Sequence, residues 1–136
     1  MVRNQKPPAL RRVFGSTLEE ADRVGLELRA LLAEAGLKTS GFGAELLARE
    51  FMTNAIIHGN GRDAGKKVTF ELSLGTKWIF MRITDEGAGF NWRKAKSTAT
   101  AGAAATSGRG VFIGNCYARK VTYNRPGNSV GIWVRK

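Results

Sequence analysis

The sequence predicts an α+β fold, a two-layer α/β sandwich in which a mixed, mostly antiparallel sheet is covered by helices on one face. Over 18–58, apolar residues recur at three- and four-residue spacing, which is typical of amphipathic helices. After residue 66 they alternate with polar residues, which is typical of strands with one buried face. A chain of 136 residues is expected to form one domain over 11–136, after a mobile lead-in at 1–10.

The two predicted helices have clear start and stop signals. Residues 16–19 read Ser-Thr-Leu-Glu, the form of a capping box with Ser16 as the N-cap. The first helix runs from there to Gly36. The second is predicted from about 42 to 58, with Gly59 ending it, because glycine commonly follows the last turn of a helix.

Five strands are predicted around these helices. One precedes the first helix, and the others form two hairpins with glycine-containing turns. The predicted strands are 11–15, 68–74, 78–84, 120–123 and 130–134. Trp78 and Trp133 fall in strand patterns, so we expect both in the core. Between the hairpins, 85–107 has no convincing period, which is typical of a functional lid or a disordered loop, and 108–118 is predicted to form a short helix.

Composition narrows the function classes. Hydrophobic residues make up 43% of the chain and charged residues 24%, which is ordinary globular usage and excludes a wholly disordered or collagen-like chain. The single cysteine, Cys116, cannot close an internal disulfide or build a thiolate metal cage. No apolar run approaches the roughly 18 residues of a membrane span. We therefore expect a soluble, cytoplasmic protein with no membrane partner.

The charge balance is less ordinary than the composition. Lys and Arg total 22 against 11 Asp and Glu, which gives a net charge of +11. Such a charge attracts polyanions, including nucleic acid, nucleotide phosphates and acidic proteins, without choosing among them. Nucleic-acid binding is favoured by charge alone, because no recognition helix or aromatic stacking motif is evident. We do not expect a nucleic-acid partner.

Two glycine-rich loops fail the common nucleotide motifs. Residues 59–67 approach the Walker pattern, but the first glycine is out of register and Lys67 stands where a magnesium-binding hydroxyl is required. Residues 108–114 miss the dinucleotide fingerprint by one position and do not follow a buried parallel strand. Both standard nucleotide folds are therefore excluded.

Glu50 and Asn54 form the first candidate pair. Their four-residue spacing puts both on one face of the second helix, one turn apart. An amide oxygen can bind a hard cation such as Mg²⁺, and a carboxylate can take a proton from a nucleophile. Taken alone, the pair is more often an ordinary polar helix surface.

Asp85, Gly87 and Gly89 form a second candidate group directly after a predicted strand. An aspartate there can accept a hydrogen bond from an exocyclic amine such as that of adenine. Glycine has no Cβ, so the backbone can approach a flat base. A simple strand-ending turn is the alternative, because Asp and Gly are common in turns.

The third candidate is Gly108-Arg109-Gly110, which opens the predicted short helix. Unpaired amides at a helix N-terminus favour phosphate, and Arg109 adds positive charge. A flexible approach to a helix is an equal alternative. Together and in this order, the three segments supply elements for a metal, a base and phosphate, which makes the combination far more specific than any part.

These segments resemble the motifs of the GHKL ATPases, the family of gyrase, histidine kinases and MutL, and within it the small anti-sigma-factor serine/threonine kinases. The resemblance covers about 13–136 and implies the Bergerat, or histidine-kinase-like, ATPase fold. Residues 50–59 match the N-box, which implies Glu50 as general base and Asn54 as the Mg²⁺ ligand. Residues 85–90 match the G1 box, which implies Asp85 on the adenine amine.

The resemblance extends to the later segments. Gly108, Arg109, Gly110 and Val111 match the G2 box, at the end of an ATP lid over about 91–108. Ser129, before the last strand, sits near the position of a threonine that helps to read adenine in this family.

The implied function is that of an ATP- and Mg²⁺-dependent serine/threonine protein kinase. It would phosphorylate a small anti-anti-sigma (STAS) protein and sequester a sigma factor. Members of the family commonly pair, so a homodimer is expected as well. The alternative function is a non-catalytic ATP-binding signalling module that gates protein–protein binding, although Glu50 favours the kinase because a pure binder needs no base.

Overall fold

The computed structural model describes residues 7–89 and 117–136. A short π-helical turn, Ala55–Gly59, continues the second helix. In chain order the helices and strands are β1 (Leu10–Gly15), α1 (Leu18–Glu34), α2 (Lys38–Asn54), β2 (Lys67–Leu74), β3 (Trp78–Thr84), β4 (Lys120–Tyr123) and β5 (Ser129–Arg135). The lid at 91–108, most of the helix predicted over 108–118, and Gly108, Arg109, Gly110 and Val111 lie outside the described residues.

The five strands form one sheet in the order β1-β2-β3-β5-β4. All of its described pairings are antiparallel. The last strand of the chain, β5, therefore lies inside the sheet between β3 and β4. The predicted α+β architecture is confirmed, and the parallel pairing that a mixed sheet needs does not occur within 7–89 and 117–136.

The core lies between the helices and one face of the sheet. Alternate residues of β2, β3 and β5 are buried against α1 and α2, as the period of two along a strand requires. The largest fully buried side chains are Phe70, Leu28, Leu32, Leu47, Met52, Ile56, Leu72, Ile79, Met81, Ile83, Ile132 and Val68.

The prediction that Trp78 and Trp133 belong to this core is wrong. Both are half-buried on the opposite face of the sheet, because alternation assigns the core face to Ile79 and its i+2 neighbours. Trp133 lies 4.5 Å from Phe80 between ring centroids. The ammonium of Lys120 lies 5.2 Å from the centroid of the Trp133 ring, so cation–π contacts cover part of this face.

The N-terminus of α1 differs by one residue from the prediction. Thr17, not Ser16, is the N-cap, and its side chain accepts a hydrogen bond from the Glu20 amide at 3.3 Å. Ser16 is buried, and its hydroxyl donates to the carbonyl of Lys66 at 2.7 Å. Ser16 and Thr17 both carry the hydroxyl that an N-cap needs. The hydrogen bond from Ser16 to Lys66 leaves Thr17 as the cap.

The second helix begins at Lys38, four residues before the predicted start. Glycines near the beginning of a helix are typical of a loop, but in α2 they allow close packing against α1. A Cβ at Gly41 would lie 3.2 Å from the Cβ of Leu32 on α1. Among the described residues, no helix has both the length and the apolar character needed to cross a membrane.

Four charged side chains connect α1 to α2, and we call Asp22, Arg29, Glu45 and Arg49 the ion-pair cluster. Glu45 accepts from Arg29 Nε and from Arg49 Nε, each at 2.8 Å. Arg49 Nη1 donates to Asp22 at 2.7 Å. The hydrogen bond from Arg29 is the main reason that the pKa of Glu45 is lowered, against the opposing effect of burial.

Candidate functional site

A cavity of about 280 Å³ opens where α2 and its π-helical turn meet the ends of β3 and of the β4–β5 hairpin. Its walls combine apolar side chains with a few polar groups, the composition typical of small-molecule sites. The lining residues are Phe51, Asn54, Ala55, His58, Gly59, Ile83, Asp85, Gly89, Tyr123, Gly127, Asn128, Ser129 and Val130.

The structure brings most of the described candidate residues together. Asn54, Asp85, Gly89 and Ser129 line the cavity, although they come from three separate parts of the chain. Gly87 lies against this group, because its carbonyl accepts from Asn128 Nδ2 at 3.2 Å. The fold therefore joins the N-box segment to the G1 segment at one cavity.

Glu50 has a different position. It lies on α2 one turn before Asn54 and is half-buried, but it does not line the cavity. Its role as a base stays a prediction, and so do the roles of Gly108, Arg109, Gly110 and Val111.

Asp85 follows β3 directly and is held by two hydrogen bonds, one of its main chain and one of its side chain. Its amide donates to the carbonyl of Asn128 at 2.9 Å, and its carboxylate accepts from the Gly87 amide at 2.7 Å. Burial raises the pKa of the Asp85 carboxyl, while the Gly87 hydrogen bond and the charge of Lys66 oppose that rise. The side chain is thus a partly desolvated acceptor at the cavity wall.

The glycines of this region permit close backbone approach. A Cβ at Gly59 would overlap the Asp85 carboxylate, and one at Gly87 would overlap the carbonyl oxygen of Gly59. Gly89 has φ +90°, and a Cβ there would overlap the carbonyl of Pro126. Gly87 and Gly89 therefore require glycine because their neighbours are backbone atoms, and Gly89 also because of its left-handed conformation, whereas a side chain at Gly59 would displace the Asp85 carboxylate.

The turn between β4 and β5 is organised by Asn124, which sequence reasoning missed. Its Oδ1 accepts from the amides of Gly127, Asn128 and Ser129 at 2.9, 3.0 and 3.1 Å. Its Nδ2 donates to Asn128 Oδ1 at 2.6 Å. Asparagine, proline and glycine at 124–128 indicated a turn, but no sequence signal indicated its docking on the Gly87 carbonyl.

Asn60, immediately after the π-helical turn, is the second residue that sequence reasoning missed. It is 3% exposed. Its Nδ2 donates to Ser16 Oγ at 2.8 Å and to the Lys67 carbonyl at 2.9 Å, and its Oδ1 accepts from the Glu86 amide at 2.8 Å. We call Asn60, Asn124 and Asn128 the asparagine network.

Ser129 lines the cavity, but its hydroxyl is already engaged. Its Oγ accepts from Arg82 Nη1 at 3.1 Å and lies 2.9 Å from Thr84 Oγ1. Both partners belong to β3, the strand beside β5. Its part in reading adenine therefore stays a prediction.

The donor set at the cavity fits a magnesium ion that is held mainly by phosphates and water. Within the described residues no group of three or more His, Cys, Asp or Glu could hold a metal ion. Mg²⁺ commonly uses only one or two protein ligands beside substrate phosphates, so the amide oxygen of Asn54 is sufficient.

Tyr123, whose pKa is raised by burial, is a further wall residue that the sequence did not single out.

A family model described as the histidine kinase-like ATPase domain matches residues 14–135, which include every helix of the structure and all the described cavity residues. No curated protein matches the chain.

Proposed function

Because the chain belongs to the histidine kinase-like ATPase domain family, which binds ATP, we propose that it is a Mg-ATP-dependent serine/threonine protein kinase of the anti-sigma-factor type. The observation that supports this most is the meeting of Asn54 and Asp85 at one cavity. These residues would hold opposite ends of the nucleotide, the phosphate side and the base.

Asp85 would accept a hydrogen bond from the exocyclic amine of adenine. Its carboxylate must be ionised to do so, and the Gly87 amide together with the charge of Lys66 favours that form. Gly87 and Gly89 let this segment pack against the backbone of Gly59 and Pro126, which holds the carboxylate at the cavity wall. The apolar side chains of Phe51 and Ile83, which line the same cavity, would contact the faces of the ring.

Asn54 would hold Mg²⁺, which neutralises phosphate charge when it is bound. Glu50, one turn earlier on α2, would take the proton from a serine or threonine hydroxyl of the partner protein. The hydroxyl oxygen would then form its bond to the γ-phosphorus as the bond to the β-phosphate oxygen breaks, leaving ADP. Gly108, Arg109, Gly110 and Val111 are proposed to bind the phosphates.

The proposed protein partners are a small anti-anti-sigma (STAS) protein as substrate and a sigma factor as the sequestered target. The support for both is the resemblance of residues 50–59 and 85–90 to the motifs of the anti-sigma-factor kinases. A homodimer is proposed on the same ground, and cytoplasmic location follows from partners of this kind.

One observation favours the second candidate function, a non-catalytic ATP-binding module that gates protein–protein binding. Glu50 does not line the cavity, so the ATP-binding residues can be in place while the proposed base lies outside them. A module of this kind would need Asn54 and Asp85 but not Glu50.

Calorimetric titration with ATP, with and without Mg²⁺, tests the binding part of the proposal. We expect magnesium-dependent binding in the wild type, loss of the magnesium effect in Asn54→Ala, and weaker binding in Asp85→Asn. Asp63→Asn is the matched control, because Asp63 is an exposed aspartate that also accepts from the amide two residues later. No binding in the wild type would contradict the proposal.

Transfer of labelled γ-phosphate to a purified STAS-domain protein tests the kinase part. Glu50→Gln should abolish transfer and leave ATP binding largely intact, because the amide cannot take a proton. Glu34→Gln, at the exposed end of α1, is the control. Equal loss of binding and transfer in Glu50→Gln would contradict the base assignment, and binding without transfer in the wild type would favour the gating module.

A further inference from the structure

We propose that Asn60 is a positioning residue for nucleobase selection, and that through it the site favours 6-aminopurine over 6-oxopurine nucleotides. Asn60 holds the main chain of Glu86, and in this way it fixes the direction of the Asp85 carboxylate. This inference rests on the proposed function, because it assigns the residue that makes the proposed adenine contact selective.

The hydrogen bonds of Asn60 are complete and connect separate parts of the fold. An asparagine side chain offers two N–H donors and one carbonyl acceptor. Both donors bind fixed groups outside the cavity, Ser16 Oγ and the Lys67 carbonyl. Only the acceptor binds the Asp85 segment, where it receives the Glu86 amide at 2.8 Å. A group anchored twice in this way is a rigid support for its third partner.

The Glu86 amide belongs to the peptide that follows the Asp85 Cα, so holding it limits rotation about that Cα. The amide of Asp85 itself donates to the Asn128 carbonyl at 2.9 Å. The two peptides that flank Asp85 are therefore held from opposite sides, by Asn60 and by Asn128. With both peptides fixed, the carboxylate can change direction only through its own side-chain torsions, and the Gly87 amide restrains those.

Asn60 is also placed where a small shift would move the carboxylate. Its neighbour Gly59 approaches Asp85 so closely that a Cβ at Gly59 would overlap the carboxylate. The Asn60 amide donates back to the carbonyl of Ala55 at 2.8 Å, so residue 60 is tied to the π-helical turn on one side and to the Asp85 segment on the other.

Selection between purines follows from the direction of the carboxylate. A 6-aminopurine offers an N–H donor to Asp85, whereas a 6-oxopurine offers a carbonyl oxygen that the carboxylate repels. A carboxylate that is free to turn away loses the favourable contact and the repulsion together. Loss of Asn60 should therefore reduce the ratio of the two affinities rather than lower both alike.

Calorimetric titration of the full chain with Mg-ATP and Mg-ITP measures that ratio. In Asn60→Ala we expect the preference for ATP over ITP to fall by roughly fivefold or more, because the Glu86 amide loses its acceptor. Asn60→Asp keeps an acceptor oxygen for Glu86 but loses both donors that anchor the side chain, so it should also lose part of the preference. Ser16→Ala removes a different hydrogen bond of Asn60 and should lower the unfolding temperature without changing the preference.

The outcomes separate this inference from the proposed function. If the wild type does not bind ATP, the proposed function is contradicted. If the wild type prefers ATP and Asn60→Ala keeps that preference, the role of Asn60 is overturned. The role is also overturned if Ser16→Ala reduces the preference as much as Asn60→Ala does. Should Asn60→Ala not fold, hydrogen exchange of the Glu86 amide in the wild type and in Ser16→Ala decides the question. We expect protection in both proteins, and an unprotected Glu86 amide in the wild type overturns the proposal.

Discussion

The ion-pair cluster and the asparagine network both connect distant parts of the chain, but they do so with different chemistry. The cluster uses two arginines and two carboxylates between α1 and α2, and Arg29 is 62% exposed. The network uses neutral amides beside the cavity, and Asn60 within it is 3% exposed. One connection is charged and partly exposed at Arg29, and the other is neutral and buried at Asn60.

The difference shows how a carboxylate can be held in place without an ion pair. Glu45 is bound directly by arginines, which lower its pKa and occupy its oxygens. Asp85 is instead fixed through its main chain by Asn60 and Asn128. In the described structure no arginine binds its carboxylate, and the pKa of that carboxyl is raised. Neutral amides therefore position the acid and leave an oxygen for a ligand.

The largest expected contrast comes from adding a methyl group to each region. In Gly87→Ala the Cβ would overlap the carbonyl of Gly59, which is backbone and cannot move away. Overpacking of this kind costs about 3 kcal/mol of unfolding free energy and should also weaken ATP binding. In Gly25→Ala the Cβ would lie 2.6 Å from Arg49 Cζ, the far end of a flexible side chain.

Urea unfolding of the two variants measures that contrast. Gly25→Ala should change the unfolding free energy by less than about 1 kcal/mol, because the gain in helix propensity offsets the displaced Arg49 contacts. If Gly25→Ala is destabilised as much as Gly87→Ala, the view that the ion-pair cluster adapts more easily than the asparagine network is wrong.

Asp85→Asn should weaken ATP binding by roughly tenfold to a hundredfold, the loss of one charge-assisted hydrogen bond. In the wild type, ATP affinity should fall as pH decreases through the raised pKa of Asp85, because the protonated carboxyl no longer accepts fully. Titration at several pH values checks both. An ATP affinity independent of pH in this acidic range would contradict the contact.

The same substitution should raise the stability of the ligand-free protein at neutral pH. Because the folded pKa of Asp85 is raised, its favourable contribution is present below the unfolded pKa of about 3.9 and is lost as pH rises through the folded pKa. Asp85→Asn should therefore unfold at higher temperature than the wild type at pH 7 and show no such gain near pH 3. Asp63→Asn should show no gain at either pH.

Glu45→Gln should lower the unfolding free energy by about 1–2 kcal/mol at neutral pH, because it leaves Arg29 and Arg49 without their shared charge. The pKa of Glu45 is lowered, so its contribution is present above the unfolded pKa of about 4.3 and is lost as pH falls through the folded pKa. Urea unfolding at neutral and acidic pH checks this, with Glu34→Gln as control. Unchanged ATP affinity is expected.

A change in salt concentration should produce the smallest effect on stability, and it should affect the ion-pair cluster but not the asparagine network. Raising the salt concentration screens exposed charges, so the stability difference between wild type and Glu45→Gln should shrink by a few tenths of a kcal/mol. The difference between wild type and Ser16→Ala, which concerns neutral groups, should not change. Thermal unfolding at low and high salt measures both differences, and an equal response would remove the distinction.

The spacing of residues close in sequence predicted the helices, the strands and the residues that lie on one face of them. Periodicity located the helices and the strands, and Asn54 and Asp85 meet at one cavity as their motifs indicated. Periodicity could not decide which sheet face carries Trp78, because Phe80 and Ile79 make both faces of β3 look apolar.

The asparagine network could not be predicted, because its partners are far apart in sequence. Asn60 lies 44 residues from Ser16 and 26 from Glu86, and an asparagine near a helix end has the local signal of a turn. Only the assembled sheet brings these groups within hydrogen-bond distance.

The place of β5 inside the sheet has a consequence for biosynthesis. When β3 leaves the ribosome its only neighbour is β2, and its other edge stays unpaired until β5, the last strand of the chain, has been translated. The cavity residues Asn128 and Val130 arrive equally late. The cavity is therefore incomplete, and the second edge of β3 stays open, until residue 135 has cleared the exit tunnel.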